Sequence, residues 1–117
     1  MYRVYNLTTK VLLAKLTPAQ TAWQRLTGFL DRKQISEDEA MWFDRCANVH
    51  TVGMRASLDI VFLDDDHRIL AVERNVGSNR LRVSYPGARS VVEFGTSPET
   101  RMTVGDILFF ERAVTAG

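Results

Sequence analysis

The sequence is short of the features that would place it quickly. Cys46 is the one cysteine among 117 residues, so no intrachain disulfide can form and nothing in the cysteine content marks an oxidising compartment. A balance of 15 basic against 14 acidic side chains leaves a formal net charge of +1. That total gives no general attraction to nucleic acid or to an anionic membrane. No apolar stretch approaches the roughly 18 residues a membrane span requires. Met1-Tyr2-Arg3-Val4-Tyr5-Asn6 lacks the basic and apolar regions of a secretory signal, so a cytoplasmic protein is the expectation. Glycine-rich phosphate loops, nucleophile elbows and the HExxH zinc motif are missing, as are internal repeats.

What is present fits one soluble domain. Apolar residues make up 45% and charged residues 25%, ordinary values for a chain with one core. The expected layout is a single domain over 1–112 and a loose tail over 113–117. Runs 2–7 and 11–16 read as a hairpin about Thr8-Thr9-Lys10. Thr17-Pro18-Ala19-Gln20 then supplies a cap, a first-turn proline and a capping-box glutamine. Apolar residues at 19, 22, 23, 26, 29 and 30 follow at helical spacing, which predicts an amphipathic helix. Further strands are expected at 40–43, 48–54, 58–64, 69–72, 89–94 and 107–110, and residues 97–102 allow one helical turn. The tally of roughly seven or eight short strands joined by tight connections predicts an α+β class. The expected form is a mainly antiparallel, strongly curved sheet or partly open barrel with one amphipathic helix.

Chemistry concentrates in residues 49–64. His50, Arg55 and Asp59 precede or open the apolar run Ile60-Val61-Phe62-Leu63. A carboxylate at the mouth of a buried strand is costly unless paired, and four-residue spacing across a bend lets Arg55 and Asp59 form a bidentate pair. Such a pair reads first as a structural clamp and second as part of a ligand site. His50 suits acid–base or anion-binding work near neutral pH, although a histidine anchoring a strand is the plainer reading. Glu93, inside the apolar strand 89–94, is a third polar group that would converge there or face solvent.

Other constellations are weaker. Cys46 and His50 share a face only if the strand is extended, and zinc needs more ligands than these two, so no metal or cofactor is expected. Asp64-Asp65-Asp66 lacks the alternating spacing and glycine of a calcium loop and reads as a solvated turn. Arg74, Arg80, Arg82 and Arg89, with Tyr85, make a weak nucleic-acid footprint.

Arg25-Leu26-Thr27-Gly28-Phe29-Leu30-Asp31-Arg32, then His50-Thr51-Val52-Gly53-Met54-Arg55 with Leu58-Asp59-Ile60-Val61-Phe62-Leu63-Asp64, then Glu93 and a closing Val104-Gly105-Asp106, resemble the DUF192 family of bacterial and archaeal proteins. The resemblance runs from about residue 20 to residue 110. His50, Met54, Arg55, Asp59 and Glu93 match its pattern. Asp31 and Ala40 replace usual glycines, Ala56-Ser57 replaces a bulky apolar residue and proline, and Phe94-Gly95-Thr96 replaces a Leu-Pro-Ala-Gly turn. The resemblance implies a compact, mainly antiparallel fold and no settled biochemical function.

The sequence therefore leads to three readings. The first is a binding or accessory domain whose groove, bordered by His50, Arg55, Asp59 and Glu93, accepts a small anion or a peptide segment. The second is a hydrolase-like enzyme using His50 as acid or base, with Asp59 orienting it and Arg55 stabilising an anion. The third is weak nucleic-acid contact through the 74–89 arginine loops.

Overall fold

A computed structural model describes residues 2–19, 29, 32–51, 53–78, 83–97 and 100–112. Its strands, in chain order, are β1 (Tyr2–Asn6), β2 (Val11–Pro18), β3 (Glu39–Phe43), β4 (Asn48–Val49), β5 (Leu58–Leu63), β6 (Ile69–Val76), β7 (Val83–Ser84), β8 (Ser90–Gly95) and β9 (Leu108–Arg112). Seven form one sheet in the order β6-β5-β8-β3-β2-β1-β9, and β4 pairs separately with β7. Every ladder is antiparallel except β2 with β3, which run parallel. A parallel pair needs a long crossover, and residues 19–38 supply it.

The sheet curls until its two edge strands touch at one end. Arg68 and Ile107 form an antiparallel bridge. Around it, Ile69 N–H donates to Asp106 O at 2.8 Å, Leu108 N–H to His67 O at 2.9 Å and Gly105 N–H to Ile69 O at 2.9 Å. The Val104-Gly105-Asp106 motif makes this junction. Gly105 takes φ +96°, a left-handed conformation that favours glycine. The Asp106 carboxylate accepts from Thr103 N–H at 3.0 Å and from the Asn6 amide at 2.8 Å. Asn6 in turn holds the β1–β2 turn, its Oδ1 accepting from Thr8 N–H and Thr9 N–H.

Curvature divides the core in two. Val4, Leu16, Ala40, Val61, Ile69, Val92 and Leu108 come from all seven strands and meet inside the curl. The alternate residues Met41, Phe43, Leu58, Ile60, Phe62 and Val91 form an outer core, covered by Phe29, Met54, Val83 and Ala88. All six residues of β5 and all six of β8 are consequently buried. Each large apolar side chain so enclosed contributes about 1.5–3 kcal/mol.

The expected α+β class is corrected by these findings. Among the described residues the regular structure is all strand, and no helix occurs. Thr17 and Pro18, expected to open a helix, end β2 instead. They pair with Met41 and Trp42, and Ala19 N–H extends the ladder to Trp42 O at 2.8 Å. Long-range pairing with β3 overrides the local capping signal, and Pro18, which has no N–H to offer, sits at the strand end where that is tolerated. Most of the apolar stripe, residues 20–28 and 30, lies outside the described residues; Ala19 and Phe29 are buried in the outer core. Within the expected turn at 97–102, residues 98–99 also lie outside. Met102 enters the inner core, while the Arg101 guanidinium donates to Leu13 O and Glu37 O, each at 2.9 Å. The strand expected over 48–54 stops at Val49, because Met54 N–H turns back onto Thr51 O. The expected tail, 113–117, is outside the described residues.

Gly95 marks where the crossover lies against the outer face. A Cβ there would run into the Ser36 carbonyl and come within 2.7 Å of Ile35 O, whereas one at Gly77 would meet nothing within 4 Å. Gly95→Ala is therefore expected to lower stability by about 3 kcal/mol and Gly77→Ala by less than about 0.5 kcal/mol. Urea denaturation of the two variants measures the contrast.

Candidate functional site

The stretch from His50 to Ser57 is a bend laid over the outer face at the Leu58 end of β5. Its turn closes through Met54 N–H to Thr51 O at 3.0 Å, with Gly53 at φ +80°. Val49 and Met54 pack into the outer core on either side of half-buried His50 and buried Thr51. Glu93 belongs to the same face, since it lies opposite Ile60 on β5 and Met41 on β3. Asp59 does not. It lies opposite Phe94, on the side of β5 that turns inward.

Asp59 is committed to the shape of β6. Its Oδ1 accepts the Asn75 N–H at 2.9 Å, and its Oδ2 is 3.7 Å from Arg74 Nη1. The other Arg74 nitrogen donates to Met102 O at 2.7 Å. The β5–β6 register shifts between Leu58 and Ile60, and Asn75 takes a left-handed φ of 52°. The buried carboxylate thus holds a bulge that would otherwise leave a backbone N–H unbonded. Arg74, not Arg55, is its ionic partner; Arg55 is exposed at the bend. The two candidate acid–base residues, His50 and Asp59, are therefore placed in different layers of the fold. Sequence spacing missed Arg74 because a bulge shifts hairpin pairing in a way that residue counting does not reveal.

Glu93 has a different solution. It is 4% exposed and its Oε2 has no hydrogen-bond partner. Burial among apolar neighbours pushes its carboxyl up to about 8, so the group is mainly neutral at pH 7 and adds little negative charge to the outer layer.

Beside the bend is an open groove of about 680 Å³, lined by Ala56, Ser57, Arg32, Lys33, Asn75 and Thr96 among others, and among the described residues its lining holds no carboxylate. Arg32 is engaged with Glu39, donating to both carboxylate oxygens at 3.0 and 2.8 Å. Lys33 and Arg55 are exposed and form no ion pair among the described residues.

The remaining candidates disperse. Cys46 precedes β4 and donates its thiol to Asn48 O. No three His, Cys, Asp or Glu side chains among the described residues could together hold a metal ion. Asp64 closes its turn by accepting from Asp66 N–H and Arg68 N–H, both at 2.9 Å. Of the arginine set, Arg74 is engaged as above, Arg89 is 3.9 Å from Asp65, and Arg80 and Arg82 lie outside the described residues.

Two measurements check these assignments. Asp59→Ala should lower stability by about 3 kcal/mol, because it strips the Asn75 N–H of its partner and leaves Arg74 unpaired, while Arg55→Ala should change it by less than about 0.5 kcal/mol. Glu93 makes stability depend on pH in a definite direction. An acid whose folded pKa is raised contributes full stability below its unfolded value of 4.5, and that contribution is lost as pH rises toward about 8. Glu93→Gln should therefore be a few kcal/mol more stable than the parent at pH 8, with the gap closing by about pH 5, as followed by urea titrations across that range.

Comparison with known proteins agrees with this architecture. No curated protein matches the sequence, and no helix among the described residues is long and apolar enough to cross a membrane. A crystal structure of a protein of unknown function from Novosphingobium aromaticivorans superposes with a TM-score of 0.77 at 20% identity, covering 92% of this chain and 82% of that one. A putative transcription regulator from Sinorhizobium meliloti superposes with the same TM-score of 0.77 at 21% identity, covering 93% and 91%. At such identities the likeness shows the fold. The family model DUF192, described as "Uncharacterized ACR", matches residues 5–110, and the chain belongs to that family.

Proposed function

We propose that this protein is a non-catalytic binding domain that accepts a small anionic ligand or an acidic peptide segment in the groove beside the 50–57 bend. One observation carries the reading. The groove joins the bend to residues 32–36 through a lining whose only charged side chains among the described residues are Arg32 and Lys33, and exposed Arg55 adjoins it in the chain. Exposed cations without partners at a concave surface attract anions and set their orientation. A neutral Glu93 in the outer layer supports this, because it does not oppose an incoming negative charge. Asp59, whose charge is compensated by Arg74 on the inner side, does not oppose one either. The roles left to the signature residues are then distinct: Met54 and Glu93 shape the layer, His50 borders it, and Arg55 with Lys33 meets the ligand.

Thermal-shift titration with phosphate-, sulfate- and carboxylate-bearing metabolites and with acidic peptides tests the reading. The parent protein should gain melting temperature with a subset of these anions, and the gain should weaken with added salt. Lys33→Glu and Arg55→Glu should each lower affinity about tenfold while leaving the unliganded melting temperature nearly unchanged. Absence of any anion effect, or an effect that survives both reversals, refutes it.

A further inference from the structure

The outer face of the sheet is covered over only part of its width. No residue of β1, β2 or β9 belongs to the outer core. On those three strands register sorts the outward side chains into rows. Tyr5 lies opposite Leu12 on β2 and Phe109 on β9, and Arg3 lies opposite Lys15 and Glu111. Val4, Ala14, Leu16 and Leu108, their neighbours in the chain, enter the inner core, so both rows point outward. Leu12, Phe109 and, two residues beyond Tyr5, Leu7 are 51%, 48% and 53% exposed. Single apolar residues on a surface need no explanation, but these adjoin across three neighbouring strands and make one patch.

The patch carries a projection, a recess and charges of both signs, and these are divided between its two outer strands. β9 is the last strand at this edge of the sheet and presents Phe109 there. On the far side of β2, β3 begins only opposite Lys15. That leaves a recess of about 390 Å³ beside residues 12–14, lined by Leu12, Leu13, Ala14, Lys15 and Arg101 among others. In the next row Glu111 stands on β9 and Lys15 on β2. Lys15 forms no ion pair among the described residues, and Glu111 pairs loosely with Arg3 at 3.9 Å. Asp38, which senses Lys15 at a distance, is bonded to the Ser36 hydroxyl.

We infer that the outer face of β9, β1 and β2 is a homodimer interface, in which two copies pack face to face about a two-fold axis parallel to the strands. That axis lays β9 of each copy over β2 of the other and keeps each row opposite itself. Phe109 then enters the recess beside the partner's Leu12, Lys15 meets the partner's Glu111, and each contact occurs twice. Tyr5 lies at the axis, and Arg3 beside it retains Glu111 of its own chain. A two-fold axis across the strands would set β2 on β2 and β9 on β9, with recess against recess and neither charge matched. The placement of the residues therefore selects one orientation. An aromatic anchor in a pocket is a common centre of binding energy, and a face of three short strands is small enough to make the association weak and reversible. The interface shares no described residue with the lining of the anion groove, so neither reading depends on the other.

Sedimentation velocity of the whole chain from about 10 to 500 µM tests the inference. The parent should shift reversibly from monomer to dimer within that range. Phe109→Ser, at an exposed position, should weaken association about thirtyfold and leave the melting temperature of the dilute protein nearly unchanged. Lys15→Glu and Glu111→Lys each set like charges against one another at both symmetry-related contacts, and each alone should weaken association about tenfold. Mixed in equal amounts, these two variants should associate about as tightly as the parent. In the mixed dimer the substituted side chains face each other with opposite charge, and the native pair faces at the second contact. A parent that stays monomeric throughout overturns the inference, as does undiminished association of Phe109→Ser or a mixture that associates no better than its components.

Discussion

Burial of β5 and β8 on both faces is the constraint from which the rest of the structure follows. A curled sheet gives each strand an inner side chain set automatically, but an outer set must be covered by something else. Here Leu58, Ile60, Phe62, Met41, Phe43 and Val91 present an apolar outer surface over one part of the sheet. Ala19, Phe29 and Ile35 from the connection between β2 and β3, and Met54 from the bend before β5, pack against it. Gly95 fits this requirement, because the chain at residues 35–36 approaches the sheet too closely for a side chain at that position.

Polar groups on doubly buried strands have few stable options, and three of them appear within the same two strands. Asp59 gains an N–H donor and a guanidinium from β6. Glu93 Oε2 has no hydrogen-bond partner among the described residues, and burial raises the carboxyl to about 8, so it keeps its proton at neutral pH, the usual outcome when desolvation is uncompensated. Ser90 carries no charge to lose, and its hydroxyl is left without a partner among the described residues. A paired carboxylate, a neutralised acid and an unbonded hydroxyl are different answers to one desolvation problem.

This division changes how the 50–64 signature is understood. Residues that crowd together along the chain are separated by the pleat into two layers with unlike duties. Asp59 works inward, fixing the β6 bulge and, through Arg74, the segment that carries Met102 into the core. His50, Met54 and Glu93 belong to the outer layer, where the bend meets the crossover. The closing Val104-Gly105-Asp106 is likewise structural, since Asp106 and Gly105 join the two sheet edges and tie them to Asn6.

Much of the strand content was legible in the residues. The β1–β2 hairpin with its turn chemistry, the β5–β6 hairpin about the aspartate turn, and the strands at 40–43 and 89–94 follow from alternation and apolar runs, which are local properties. The family could also be read from residue order and spacing. The helical start at Thr17-Pro18 was misleading for a physical reason: capping preference is worth on the order of 1 kcal/mol, and pairing with a strand more than twenty residues later outweighs it. Nor could spacing reveal that Asp59 bonds Arg74 rather than Arg55, or that Glu93 and Asp59 point to opposite faces. Each depends on strand register and a bulge, and register is set by contacts between distant segments. Local order and spacing mark which residues carry chemistry, and register between distant strands sets the face each one serves.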